Sequence, residues 1–234
     1  MPRGESSTLT QLDRVVLRAT PLFQRLGDDV FEQLVRSALV LKPSAKAVVF
    51  REGDAATDIY IVIEGWLKLY RMTSAGQEAI INIFTRGRTI AEAVALTHSR
   101  YPATAEALTD SRLVRLPTRA MVEAMQANPD IALSMLASVS AHLHGLVAEI
   151  ARLKGQNGLA RVVEFLIFID GGGEHRDLRL PFEKQVLARH LAMQPESLSR
   201  TLRRLRAYGV SVEGQTVRIQ SWDALRRAVS DDVG

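Results

Sequence analysis

The sequence predicts an α+β chain with an N-terminal antiparallel β-roll, a long dimerisation helix and a C-terminal winged helix-turn-helix, at residues 1–128, 129–154 and 155–234. Three observations carry that expectation. Apolar residues alternate with a period of two between Lys42 and Leu116 and repeat in heptads between Pro129 and Lys154; beyond Gly155 they mark two short helices and a hairpin. With 234 residues, 47% of them apolar, and a net charge of +4, the chain can bury a core and is not compositionally disordered.

At the N-terminus, LFQRLGDDVFEQLVRSALV (22–40) spaces apolar residues by three and four, with Asp28 and Asp29 suited to a helix start, so one packing helix is expected there. The β region follows. Its runs AVVF (47–50), DIYIVIEGWLKLYRM (58–72) and AIINIF (79–84) are separated by Gly53, Gly65, Gly76 and Gly87, at the spacing of short strands joined by turns. Between 129 and 154, Ala132, Leu136, Val139, Leu143, Leu146, Ile150 and Leu153 follow one another at alternating steps of four and three, the pattern of a coiled-coil seam between two copies. KGQNG (154–158) then offers a stop and a joint.

Past the joint, ARVVEFLIFI (160–169) reads as a buried helix. LRLPFEKQVLARHLAM (178–193) reads as a short strand and then a helix with Pro181 near its first turn. QPESLSRTLRRLRAYGV (194–210) is the second helix of the motif. Its Leu198, Leu202 and Leu205 fall on one face, while Glu196, Ser199, Arg200 and Arg203 fall on another. Alternating apolar residues on either side of Glu213-Gly214-Gln215 complete a hairpin.

In such a unit the second helix enters the major groove of DNA. Glu196 can accept from cytosine N4, Arg200 can pair bidentately with guanine, and Ser199 can make a smaller directed contact. Between Lys184 and Arg206 six basic residues face one acidic residue, Glu196, so Lys184, Gln185, Arg203, Arg204 and Arg206 are candidate phosphate contacts. Two copies joined along Leu136, Val139, Leu143, Leu146, Ile150 and Leu153 would present two such helices, and the partner is then a double-stranded DNA palindrome with half-sites about one turn apart.

Other chemistry is limited. With no cysteine the chain has no disulfide, thiolate zinc site or cysteine-held iron–sulfur cluster. No nucleophile, base and orienting group recur at a catalytic spacing, so the chain is not expected to be an enzyme. MPRGESSTLTQL has no apolar core of a leader and no run approaches a membrane span, so the expected location is the cytoplasm, with no membrane partner.

FREGDAATDIYIVIEGWLKLYRMTSAGQEAIINIF (50–84), LVAEIARL (146–153) and KQVLARHLAMQPESLSRTLRRLRAYGV (184–210) resemble the cyclic-AMP receptor/fumarate-nitrate regulator superfamily over nearly the whole chain. TIAEAVALTHSRYPATAEAL (89–108), HLAMQPE (190–196) and the E-x-x-S-R pattern are most similar to its dissimilative nitrate respiration branch. The resemblance implies a cyclic-nucleotide-binding-like β-roll, a TTGAT-N4-ATCAA-like site read by Glu196, Ser199 and Arg200, contact with RNA polymerase and activation of promoters. It also implies a response to nitric oxide through haem, or to redox or anaerobic signals; the alternative is a regulator of the same fold that is effector-independent or binds another small molecule in the β-roll. Where cyclic-AMP binders carry Gly-Glu and then Arg-Ser or Arg-Thr, this chain has Ala91-Glu92 and Pro102-Ala103, which disfavours cyclic AMP because the phosphate loses its bidentate partner. Glu92, His98 and His142 are the candidate effector pocket, beside the apolar Ile83, Phe84, Ile90, Val94 and Leu96, and His190 is an alternative haem contact. His142 and His144 would point about 200° apart on their helix, so at most one can face a given pocket.

Overall fold

The structure is a computed structural model that describes residues 8–231 apart from 25, 98, 130, 134, 138, 141–142, 146–157 and 171–174. They fall into two compact units, Met1–Leu146 and Val147–Gly234. Each has its own core.

The first unit opens with helix α1 (Gln11–Ala19), which the sequence reading did not anticipate. Its start is a capping box: Asp13 N–H donates to Thr10 Oγ1 at 3.2 Å, and Thr10 N–H donates to Asp13 Oδ2 at 2.7 Å. The helix expected over 22–40 is shorter at both ends. Helix α2 spans Asp28–Arg36, residues 21–24 form a turn, and Leu39–Leu41 is already strand β1. Periodicity misled there because Leu22 and Phe23 are buried from a turn, without helical geometry.

Strands β2 (Val48–Phe50), β3 (Asp58–Glu64), β4 (Leu67–Met72), β5 (Glu78–Phe84), β6 (Thr89–Ile90), β7 (Thr104–Ala107) and β8 (Arg112–Pro117) complete two four-stranded antiparallel sheets. Their orders are β1-β8-β3-β6 and β2-β7-β4-β5. Strand β3 is apolar without alternation because both its faces are covered: Tyr60 and Val62 join the core between the sheets, while Ile59, Ile61 and Ile63 pack against the helices. Gly65 turns β3 into β4 at φ 89°, and a Cβ there would stand 2.3 Å from Ser111 Oγ, so no other residue fits. Helix α3 (Glu92–Leu96) follows β6, and α4 (Thr118–Ala127) follows β8.

Between 131 and 145 the described residues are helical, and Ile131 and Met135 dock this stretch on the helix-side core. Arg112 ties α1 to β8 by a bidentate pair with Asp13 at 2.6 and 2.7 Å. The Arg112 hydrogen bonds hold the Asp13 carboxyl below its ordinary value, against the upward pull of its burial.

In the second unit, α5 (Gly158–Asp170), α6 (Lys184–His190), α7 (Pro195–Arg204) and α8 (Trp222–Asp231) pack with a three-stranded antiparallel sheet in the order β10-β11-β9. These strands are Asp177–Arg179 (β9), Val210–Glu213 (β10) and Thr216–Ile219 (β11), so the turn between β10 and β11 is Gly214-Gln215. Pro181 lies ahead of α6, whose N-cap is Glu183, and not in its first turn. Of the expected joint, residues 154–157 lie outside the described residues. Gly158 begins α5, where a Cβ would meet Met193 Cε at 2.7 Å, a contact that the end of that flexible side chain can relieve.

Candidate nucleic-acid interface and ligand cavity

Helix α6 ends in a tight turn: Ala192 adopts φ 49°, and Met193 N–H donates to Ala188 O at 2.8 Å. Gln194 caps α7 in extended conformation, Pro195 occupies its first turn without losing a needed donor, and Leu198 N–H closes that turn on Gln194 O at 3.0 Å. Leu198, Leu202 and Leu205 are buried, and Thr201 joins them. Glu196, Ser199, Arg200, Arg203, Arg204 and Arg206 are all exposed, as are Lys184 and Gln185 at the start of α6. One helix thus keeps an apolar anchor and a charged outer face.

Glu196 in the first turn and Arg203 and Arg204 in the last both match the helix dipole. Arg200 Nη2 donates to Ser197 Oγ at 3.2 Å, which steadies the guanidinium on the outer face. The hairpin beside it is braced by Arg218, 3.3 Å from Asp177 and 3.5 Å from Glu213. His190, the alternative haem contact, is half-buried. Its ring packs edge-on against Phe165 at 5.6 Å.

The first unit holds a cavity of about 350 Å³. Phe50, Phe84 and Tyr101 give it aromatic walls, Leu69, Ile90 and Val94 add aliphatic ones, and Val139 and Leu143 of the long helix close one side. Tyr101 stacks on Phe50 with ring centroids 3.9 Å apart and its hydroxyl donates to Asp58 O at 3.0 Å. Burial, above all, pushes the Tyr60 and Tyr101 phenols up, so both stay neutral. Asn82, Thr89 and Glu92 are the polar lining, and Glu92 is buried. Ala91, at φ 71°, sets the turn that delivers Glu92 to the wall.

Of the expected pocket residues, Glu92 lines the cavity with Phe84, Ile90 and Val94, whereas Ile83 is buried elsewhere. His98 and His142 lie outside the described residues, as does the side chain of Leu96. His144 is exposed, with Nδ1 2.8 Å from Ser140 O. Phe50, Ile81, Asn82 and Tyr101 were not singled out from the sequence. The Tyr-Pro step of SRYPAT was the one local hint, an aromatic residue held extended before proline. On the long helix Leu136 and Leu143 are 63% and 59% exposed, Val139 is half-buried, and Leu146, Ile150 and Leu153 lie outside the described residues.

Comparison with known proteins matches both units. Residues 41–128 match the cyclic nucleotide-binding domain and 160–228 the Crp-like helix-turn-helix domain. A solved structure of a candidate cyclic nucleotide binding protein from Ruegeria pomeroyi is 36% identical, with a TM-score of 0.77 over 94% of this chain and 98% of that one. The regulator DNR of Pseudomonas aeruginosa is 32% identical, with a TM-score of 0.56 over 94% and 99%. The fumarate and nitrate reduction regulatory protein of Escherichia coli is 26% identical over 86% of this chain and 82% of its own.

These findings overturn two expectations about the cofactor. Haem is not supported, and cyclic nucleotides are not disfavoured: the sensor unit matches the cyclic nucleotide-binding domain, and the first of these structures is of a candidate binder of that class. Among the described residues no cluster of His, Cys, Asp and Glu could hold a metal, and no described histidine lines the cavity. A missing arginine does not by itself decide against a cyclic nucleotide. No helix among the described residues is long and apolar enough to cross a membrane.

Proposed function

This chain belongs to the cyclic-AMP receptor/fumarate-nitrate regulator superfamily of DNA-binding transcription regulators, and from that premise we propose how it reads DNA and what it responds to. It is a regulator and not an enzyme, as its relatives are. A homodimer joined along Leu136, Val139 and Leu143, continued by Leu146, Ile150 and Leu153, reads an inverted repeat of the TTGAT-N4-ATCAA type. In each half-site Arg200 takes a guanine, Glu196 a cytosine amino group, and Ser199 a smaller contact. Lys184, Gln185, Arg203, Arg204 and Arg206 hold the phosphates. Bound at a promoter, the dimer activates transcription by touching RNA polymerase.

The observation that carries this reading is the split of α7 and its C-cap into buried Leu198, Leu202 and Leu205 and exposed Glu196, Ser199 and Arg200. The trio stands together in solvent above the buried leucines. For the effector, support goes to a small molecule of the cyclic nucleotide class taken up in the β-roll. The response to nitric oxide rested on haem and loses its support with it. Val139 and Leu143 belong at once to the cavity wall and the seam, so a ligand that binds one arrangement of the long helices better shifts the dimer toward it.

The test is binding of a TTGAT-N4-ATCAA duplex and a scrambled duplex by fluorescence anisotropy. Arg200→Ala should weaken the specific complex by about 1–3 kcal/mol per contact while leaving the scrambled one nearly unchanged. Equal loss on both duplexes would refute the assignment.

A further inference from the structure

The outward face of α7 carries opposite charges one turn apart. Glu196 and Arg200 are both exposed and stand four residues from each other, the spacing at which a carboxylate and a guanidinium on a helix attract, more so with the acid on the N-terminal side. In α4 that spacing closes even in the reverse order, with Arg119 Nε 2.7 Å from Glu123 Oε1. On α7 the arginine turns elsewhere. Its Nη2 donates to Oγ of the half-buried Ser197 at 3.2 Å, and among the described residues no ion pair joins it to Glu196. Arg203, three residues further on, has no such partner among the described residues.

The bond to Ser197 does not spend the arginine. A guanidinium carries several N–H donors in a rigid fork, so with one of them on Ser197 the rest of Nη2 and Nη1 is left to meet O6 and N7 of a guanine. Glu196 likewise keeps its acceptor oxygens. Had Arg200 fallen on Glu196, each reader would have neutralised the other, and that pair would have to break before either met a base. A serine hydroxyl one turn back accepts the guanidinium without carrying a charge that cancels it.

We infer that Ser197 is a positioning residue of the reading helix: it holds the Arg200 guanidinium away from Glu196, so that both readers reach DNA unpaired. The inference rests on the assignment of Glu196 and Arg200 as base readers. Without the hydroxyl the guanidinium is free to settle on Glu196, and the preference for guanine falls while contacts to the phosphates stay as they were.

Fluorescence anisotropy of the full chain with two duplexes tests this, one TTGAT-N4-ATCAA and the other with the G·C pair of each half-site changed to A·T. Ser197→Ala should lose about tenfold of the preference for the first duplex, about threefold from each half-site, as expected for one hydrogen bond at each. The slope of log affinity against log salt should not change, since no phosphate contact is lost. Ser197→Thr keeps the hydroxyl and should keep the preference. In a Glu196→Gln background, where the competing pair is gone, Ser197→Ala should cost no more than about twofold. Circular dichroism checks that each variant retains its helices. Equal loss on both duplexes, a changed salt slope, Thr behaving as Ala, or an undiminished loss in the Glu196→Gln background overturns the inference. A wild type that prefers the first duplex, with Arg200→Ala losing that preference and Ser197→Ala keeping it, sinks this inference only. A wild type indifferent to the two duplexes sinks the base-reading assignment, and the role of Ser197 with it.

Discussion

The proposed reading helix and the proposed ligand cavity would reach specificity by opposite routes. Helix α7 draws its functional side chains from ten consecutive residues and turns them outward, with its leucines buried beneath. The cavity collects Phe50, Leu69, Phe84, Glu92 and Tyr101 from separate segments and turns them inward. On the helix, anchoring and recognition sit on different faces, so either can be altered alone. In the first unit single residues take two parts: Leu143 is cavity wall and candidate seam, and Tyr101 is wall and sheet-to-loop bracket.

Five substitutions test these contacts, from the largest effect to the smallest. Leu198→Ala should cost about 2–5 kcal/mol in urea unfolding of the second unit and take specific and scrambled DNA binding down together. By contrast, Ser199→Ala on the opposite face should stay within about 0.5 kcal/mol in stability. A large stability loss from Ser199→Ala would show that the two faces are not independent.

Leu143→Glu puts a charge where wall and seam coincide. Sedimentation should report monomer and calorimetry should report lost ligand binding in the same protein. If the dimer survives while ligand binding is lost, Leu143 belongs to the wall alone and the double duty disappears.

Arg203→Ala should lower the slope of log affinity against log salt by about one and leave the preference among bases intact. A changed base preference would move Arg203 from the phosphate group to the reading group.

The smallest effect tests the tie between segments 99 residues apart. Because Arg112 holds the Asp13 carboxyl below its ordinary value, the pair stabilises the fold above the unfolded value, and that contribution is lost as the pH falls below about 4. Between pH 7 and pH 3 wild type should therefore lose more stability than Asp13→Asn, measured by urea midpoints. Parallel losses would show that the pair contributes nothing dependent on protonation.

Legibility in the sequence followed the same divide. The α7 faces could be read from spacing because a helix maps residues three and four apart onto one side whatever surrounds it. The β10–β11 hairpin was equally local, with alternation on either side of Gly214. Where local signals competed, the reading failed. Leu22 and Phe23 matched a helical period yet sit in a turn, and the capping box of Thr10 and Asp13, present in the sequence, went unused. Glu92 was found, but the aromatic walls beside it were not, since Phe50 and Tyr101 lie 51 residues apart in the chain and stack only when β2 and β7 pair.

By itself the sequence determined the period of each segment, and so the class of every unit: strands where β-branched residues alternate, helices where leucines recur, no thiolate chemistry without cysteine. The tertiary structure alone decided which side chains share a cavity, that Lys68 is held by Glu78 and Glu106, and that Glu92 is buried in an apolar wall. The reason is range. A period is set by backbone geometry over a few residues, whereas a cavity and its electrostatics depend on groups that only sheet pairing and core packing bring within a few ångströms.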